Sequence, residues 1–218
     1  MADVMTIVVR FDDIPDRSAA AQAANCIRSG GTLIFPTDTV YGIGCAPEDE
    51  GAIEEIFRAK GRDGSKPLAI HIAHPDEVWR FAQEMTPGAR AIVDRLWPGP
   101  IAIIVARRDG ACSAAARGGS TISLRCPGDV ACRAILEATG PLAATSANRS
   151  GRRPFDGDAA QLDRLPEAAL ALIARGRLAG KESTVLDCTG TAATILRQGA
   201  VTVRTIRRAL SGAAALTP

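Results

Sequence analysis

What most restricts the fold of this chain is a series of short apolar runs, each ending at or beginning from a polar loop. TLIFP, KPLAIHIA, IAIIVARR, TISLR, PLAATS, STVLDC and ATILR are each of strand length and rich in aliphatic or β-branched residues. Alternation in TIVVRF adds an earlier strand. Helical stretches interrupt these runs at uneven intervals, without the regular βα repeat of a barrel or a nucleotide-binding Rossmann fold. The pattern predicts an α/β protein with a mixed sheet.

The helix signals are specific. SAAAQAANCIRSGG offers Ser18 as an N-cap and Gly30/Gly31 as a stop. EDEGAIEEIFRAKGR has acidic residues in its first turn and basic ones in its last, matching the helix dipole, and Gly61 ends it. TPGARAIVDRLW starts on a Thr86 cap with Pro87 at the first helical position. Further helices are expected near DVACRAILEATG, from Ala159 to Leu165, and in RTIRRALSG. Short strands are expected around Ala171 and at VTV. PTDTVYGIG reads as a bend after a strand, and DGACSAAARGGS as a polar, glycine-rich loop.

At 218 residues, with no internal repeat and no long linker, the chain reads as one domain spanning 1–218. Its formal net charge of +2 is too small to predict a polyanion partner by itself. Arginines cluster at Arg107/Arg108, Arg149/Arg152/Arg153 and Arg204/Arg207/Arg208; the first and last groups read as solvated faces. The six cysteines (Cys26, Cys45, Cys112, Cys126, Cys132, Cys188) form no CxxC pair. With only His71 and His74 as imidazoles, a zinc site has little support. Cys45 and Cys188 have no histidine nearby in sequence and read as small core residues rather than nucleophiles. MADVMTIVVRFDD lacks a basic leader before its short apolar run, so the expectation is neither signal peptide nor membrane span, and reduced thiols in the cytoplasm.

Five polar loops carry the candidate chemistry: PTDTVYG, KGRDGSKPLAIH, STISLR, TSANRSG and KESTVLD. One such loop is usually only a turn, and composition alone leaves turns and a built site both open. The cations say more. Lys60, Arg62 and Lys66 fall within seven residues between a helix and a strand. The helix dipole accounts in part for Lys60, whereas three cations together suit an anion with several oxygens, such as a triphosphate. Arg125 and Arg197 end two further strands, and converging they would complete a polyanion pocket. No GxxxxGK[ST], strand-linked GxGxxG or GxSxG is present.

Taken in order, PTDTVYGIG, KGRDGSKPLAIHI, LWPGPIAIIV, TISLRCP, TSANRSG, ESTVLD and ILRQGA resemble the YrdC-like family of threonylcarbamoyl-AMP synthases. The match spans roughly Gly31 to Ala200, with core motifs over about 18–203. The resemblance implies a twisted mixed α/β sheet flanked by helices, YrdC/RibB-like, with a large basic cavity. It implies condensation of L-threonine, bicarbonate and ATP to threonylcarbamoyl-AMP, with release of pyrophosphate. A threonylcarbamoyl transferase complex would then pass the group to tRNA to give threonylcarbamoyladenosine.

Carried over residue by residue, the resemblance makes Lys60 and Arg62 the KxR pair and Ser146 and Asn148 the SxN pair. Lys60 and Arg62 would be catalytic. Arg62, Lys66, Thr121, Asn148 and Arg197 would hold ATP; Thr39, His71, Arg125, Ser146 and Ser183 would hold threonine. Mg²⁺ would ride on the phosphates rather than on protein side chains. No protein nucleophile is required, only in-line positioning, exclusion of water and neutralised charge.

Two departures stand out. Ala102 replaces the threonine usual after PGP-hydrophobic, and PFDGD replaces a serine-proline-threonine segment, which puts Asp156 where a hydroxyl is expected near phosphate. The short length resembles the form without an added C-terminal domain. Two alternatives stay open: a carbamoyl-adenylate-forming enzyme with another acceptor, and a non-catalytic paralogue that binds double-stranded RNA or tRNA.

Overall fold

The apolar runs become strands, and the strands join in one sheet. The structure, a computed structural model, describes residues 6–176, 178 and 180–217. In chain order these form β1 (Ile7–Phe11), α1 (Arg17–Arg28), β2 (Leu33–Phe35), β3 (Gly42–Cys45), α2 (Glu50–Lys60), β4 (Ala69–His71), α3 (Pro87–Leu96), β5 (Ile101–Ala106) and β6 (Thr121–Arg125). There follow α4 (Val130–Thr139), β7 (Leu142–Ser146), β8 (Leu170–Ala174), β9 (Thr184–Asp187), β10 (Ala192–Arg197), α5 (Val203–Leu210) and β11 (Ala215–Thr217).

The sheet has eleven strands in the order β1-β8-β2-β3-β7-β4-β6-β5-β9-β10-β11. It is mixed. β4 runs parallel to β6 and β5 parallel to β9, whereas β3/β7, β4/β7, β5/β6 and β9/β10 are antiparallel.

Strand alternation sends side chains to two cores. On one face Ile34, Ile43, Ile70, Ile103, Leu124 and Leu186 pack beneath α2, α3 and α5, through Ile53, Ile56, Ile92 and Ile206. On the other, Leu33, Phe35, Leu142, Ala144 and Leu172 pack beneath α1 and α4, through Ala23, Ile27, Ile135 and Leu136. Fully burying one such aliphatic side chain contributes roughly 1.5–3 kcal/mol. This second layer stops short. Where that face continues onto β6, β5 and β9, Thr121 is exposed and Ser123, Ile104, Val185 and Asp187 are half-buried.

Several local expectations need correction. The N-cap of α1 is Asp16, whose carboxylate accepts from Ala19 N, so the helix starts one residue before Ser18. GIGC is a buried strand rather than part of a loop, because Phe35 lies over it. A Cβ on Gly42 or Gly44 would stand 3.2 Å from the Phe35 ring, so glycine is what lets the ring close down. VTV is no strand: Thr202 caps α5 and Val203 opens it. The stretch from Ala159 is a 3₁₀ turn ending at Arg164, and PDEVWR forms another that was not expected. DGACSAAARGGS is not simply polar, since Cys112, Ala115 and Ala116 are buried. Gly61 ends α2 in the left-handed conformation as expected, and Thr86 caps α3 with Pro87 behind it.

Candidate active site

Polar burial in this protein is concentrated. Of nine buried polar or charged residues among those described, Thr39, Lys60, His71, Arg125, Asn148 and Ser183 are expected site residues, and Thr37 sits beside Thr39. All four buried side-chain atoms with no partner among the described residues also belong to that set: Arg62 Nε, His71 Nδ1, Arg125 Nε and Asn148 Oδ1. A buried orphan of this kind costs roughly 1–3 kcal/mol, and four confined to one region mark groups prepared for something other than protein.

One cluster forms where β4 and β6 end side by side. Their parallel register sets His71 directly beside Arg125. The proline-ended loop after β2 turns its hydroxyls toward them. Thr37 Oγ1 donates to Val40 O at 2.7 Å and lies 2.9 Å from Thr39 Oγ1, which accepts from Arg125 Nη2 at 3.0 Å. Phe35 meets the His71 ring edge to face at 6.1 Å and 85°. Burial, reinforced by the Arg125 charge, pushes the His71 imidazole down to about 3, so it is neutral at physiological pH.

The second cluster gathers cations from three elements. Lys60 ends α2, and its ammonium donates to the carbonyls of Ser146 and Asn148, the latter at 2.5 Å. Arg62 reaches Thr145 Oγ1 at 3.5 Å and Pro67 O at 3.2 Å. Arg197 follows a register shift in β10; its Nε and Nη2 donate to Ser183 O and Oγ at 3.1 and 3.0 Å, and Nη1 meets Glu182 at 3.3 Å. Glycine is again required here. A Cβ on Gly199 would collide with the backbone of Glu182 and Ser183. Burial, then the Arg62 charge, lowers Lys60 to about 8. Burial, with the Arg197 charge, also lowers Arg62. These cations therefore feel one another, and a phosphate chain would relieve both effects.

The expected residues are not all gathered equally. Lys66 is exposed on the loop after Arg62. Thr121 shares a strand face with Arg125 but stands roughly 13 Å along β6 from it, at about 3.3 Å per residue. Asn148 Nδ2 donates to Arg149 O and Arg152 O at 2.9 and 2.8 Å, which folds the loop and leaves Oδ1 free. Lys60 differs most from expectation. It is 3% exposed with its ammonium enclosed by two carbonyls, so it braces the Ser146–Asn148 loop rather than facing an open space.

Of the departures, Ala102 is buried beside Val185 in the β5/β9 pair. Asp156 Oδ1 accepts from Asp158 N at 3.1 Å, a local turn that engages the carboxylate. Cys45 and Cys188 are buried with thiols raised to about 12 by desolvation, which fits core residues. Among the described residues no group of three or more His, Cys, Asp or Glu could hold a metal ion, and no helix is long and apolar enough to cross a membrane. Sequence reasoning passed over Asp38 and Glu182, the acidic partners of Arg125 and Arg197. The buried Arg125 needs such a partner, and both acids lie next to residues already singled out, Thr39 and Ser183.

Fold and site together define an α/β protein with a cationic, hydroxyl-rich site at the ends of its strands. The family model described as Telomere recombination, the Sua5/YciO/YrdC domain, matches residues 25–199, and the chain belongs to that family. It is 32% identical to the threonylcarbamoyl-AMP synthase of Pyrococcus abyssi, over 94% of this chain and 61% of that protein. It is also 32% identical to the synthase of Bacillus subtilis, over 88% of this chain and 58% of that one. The chain thus spans about three fifths of the length of these two relatives. The crystal structure of P. abyssi Sua5 complexed with L-threonine superposes with a TM-score of 0.86 at 30% identity, covering 98% of this chain and 63% of that one.

Proposed function

We propose that this protein is an L-threonylcarbamoyladenylate synthase, a nucleotidyltransferase acting on L-threonine, bicarbonate and ATP in the cytoplasm. The observation that carries this is the confinement of every orphaned buried side-chain N or O atom among the described residues to Arg62, His71, Arg125 and Asn148. The names of the two relatives and the threonine bound by P. abyssi Sua5 support the same assignment.

In this scheme the first cluster serves threonine with Ser146 and Ser183 from the second, whose guanidiniums serve ATP. Arg125 offers its remaining N–H groups to the threonine carboxylate, while Thr39, Ser146 and Ser183 meet the hydroxyl and carbamate oxygens. Neutral His71 offers one donor and one acceptor without adding charge. Arg62, Lys66 and Arg197 take the triphosphate, with Asn148 and Thr121 towards the nucleotide. The threonine amine attacks carbon dioxide, or bicarbonate with loss of water, to give a carbamate. A carbamate oxygen then attacks the α-phosphorus and pyrophosphate leaves. The protein supplies alignment and positive charge for the leaving group. ATP would enter as its magnesium complex, the ion adding positive charge to the phosphates beside that of Arg62 and Arg197. In this reading the half-open face over β6, β5 and β9 would form the floor of the basic cavity that the resemblance implies.

The deciding experiment is release of pyrophosphate from ATP with and without threonine and bicarbonate. Release that requires both is expected. Turnover equal without threonine would instead favour carbamoyl-adenylate formation for another acceptor. The product would pass to a threonylcarbamoyl transferase complex acting on tRNA. Binding of tRNA or double-stranded RNA by this chain alone, steeply weakened by salt and indifferent to Arg62→Ala, would favour the RNA-binding role.

A further inference from the structure

Asp38 has no part in the scheme above, yet its carboxylate is enclosed at the threonine end of the site. The Asp38 side chain is 15% exposed and that of Arg125 6%. One oxygen, Oδ1, accepts from Arg125 Nη2; the other, Oδ2, accepts from the backbone N–H of Gly128 at 3.0 Å. The next residue, Thr39, takes a second bond from the same Nη2 at 3.0 Å. Nη2 carries two hydrogens, so both are committed, and the guanidinium cannot turn without breaking one of them. Among the described residues its Nε has no partner, nor does Nδ1 of the adjacent His71.

The far side of the contact is equally tight. A Cβ on Gly128 would stand 3.1 Å from Asp38 Oδ2 and 3.4 Å from Gly99 Cα. Any side chain there would press on the carboxylate, so glycine suits the close approach of that loop. One residue later Asp129 caps α4, accepting from Cys132 N at 2.7 Å. Asp38 thereby ties the loop after β2, the end of β6 and the start of α4 to one another.

We propose that Asp38 is a positioning residue for amino-acid recognition, holding the Arg125 guanidinium in the plane in which its remaining N–H groups meet the substrate carboxylate. This rests on the threonine-dependent reaction proposed above. The physical reason is that a planar guanidinium aims its free N–H donors only when its plane is fixed; a free-turning one is a diffuse charge. A role in merely neutralising Arg125 makes the opposite prediction, because removing Asp38 would then free a cation and tighten threonine binding.

The test uses the full chain and two measurements. By titration calorimetry, Asp38→Ala weakens L-threonine binding by roughly tenfold or more, as expected when a recognition arginine loses its fixed orientation. Its KM for ATP stays within about twofold, a split that general loosening would not give. Gly128→Ala, which crowds the carboxylate from the other side, shifts threonine affinity in the same direction. Asp38→Asn keeps the shape and an acceptor, lies between wild type and Asp38→Ala, and serves if the alanine variant does not fold. In the ligand-free protein, the Arg125 Nε–H resonance is slowly exchanging in wild type and is lost to fast exchange in Asp38→Ala. Threonine affinity that is unchanged or tighter in Asp38→Ala overturns the proposal, as does an unaltered Arg125 resonance. Should wild type itself bind no threonine, the proposed reaction falls, and the resonance alone decides whether Asp38 holds Arg125.

Discussion

Lys60 Nζ lies 2.5 Å from the carbonyl oxygen of Asn148, while Lys60's own carbonyl accepts from Ser150 N at 2.8 Å. The end of α2 is thus bound to the loop after β7 through side chain and backbone together. Deleting the ammonium would strand the Asn148 carbonyl in a buried setting, at roughly 1–3 kcal/mol, and leave that of Ser146 with the backbone N–H of Asn148 as donor. Lys60→Met is therefore expected to release this loop and to weaken ATP and threonine together, with turnover lost. Hydrogen exchange at Asn148 and Ser150, measured beside steady-state kinetics, checks it. An effect confined to ATP, with exchange unchanged, would make Lys60 a direct phosphate ligand instead.

Arg62 and Arg197 repel one another in a partly desolvated setting, and a bound triphosphate would offset that repulsion. Arg62→Ala is expected to cost ATP binding more than about tenfold, the order of one charge-assisted pair, with threonine affinity barely moved. Separate calorimetric titrations with ATP and with threonine read this. Equal losses for both ligands would argue against the division of the site.

His71 gives a pH dependence whose sign is fixed. Its folded-state value of about 3 lies below the unfolded value of 6.5, so between those limits the unfolded chain binds the extra proton. Stability is fully present above about pH 6.5 and is lost as pH falls toward 3, by roughly 1.4 kcal/mol per unit. Urea unfolding at pH 7, 5.5 and 4.5 follows the slope, and His71→Gln should flatten it. A slope identical in the variant would remove His71 as the cause.

Arg125→Lys tests geometry apart from charge. A lysine keeps the cation but not the fork, so the threonine KM is expected to rise about tenfold or more while that for ATP holds. A variant as good as wild type would mean that charge alone recognises the carboxylate.

Much of this architecture was legible in the residue order. Short apolar runs have few ways to hide except as strands of one sheet, and caps such as Thr86–Pro87 and Gly61 act within a turn of chain. The polar strand ends were legible for the same reason, since an arginine closing TISLR must leave the core or find partners there. What local pattern could not reach is any property set by distant chain. GIGC is a strand because Phe35 covers its glycines, and VTV is not one because Thr202 caps a helix packed on α3.

The site divides along the same line. Sequence by itself determined which side chains could serve: Thr39, His71, Arg125, the KxR and SxN pairs, Ser183 and Arg197. Tertiary structure alone decided what each one touches. It set His71 beside Arg125 through the parallel β4/β6 register, enclosed Lys60 between two carbonyls, and joined Asp38 to an arginine 87 positions away. Residue type fixes the chemistry a group can offer. Its charge state, partners and free donors depend on burial and on neighbours brought in by the sheet, and those are long-range facts.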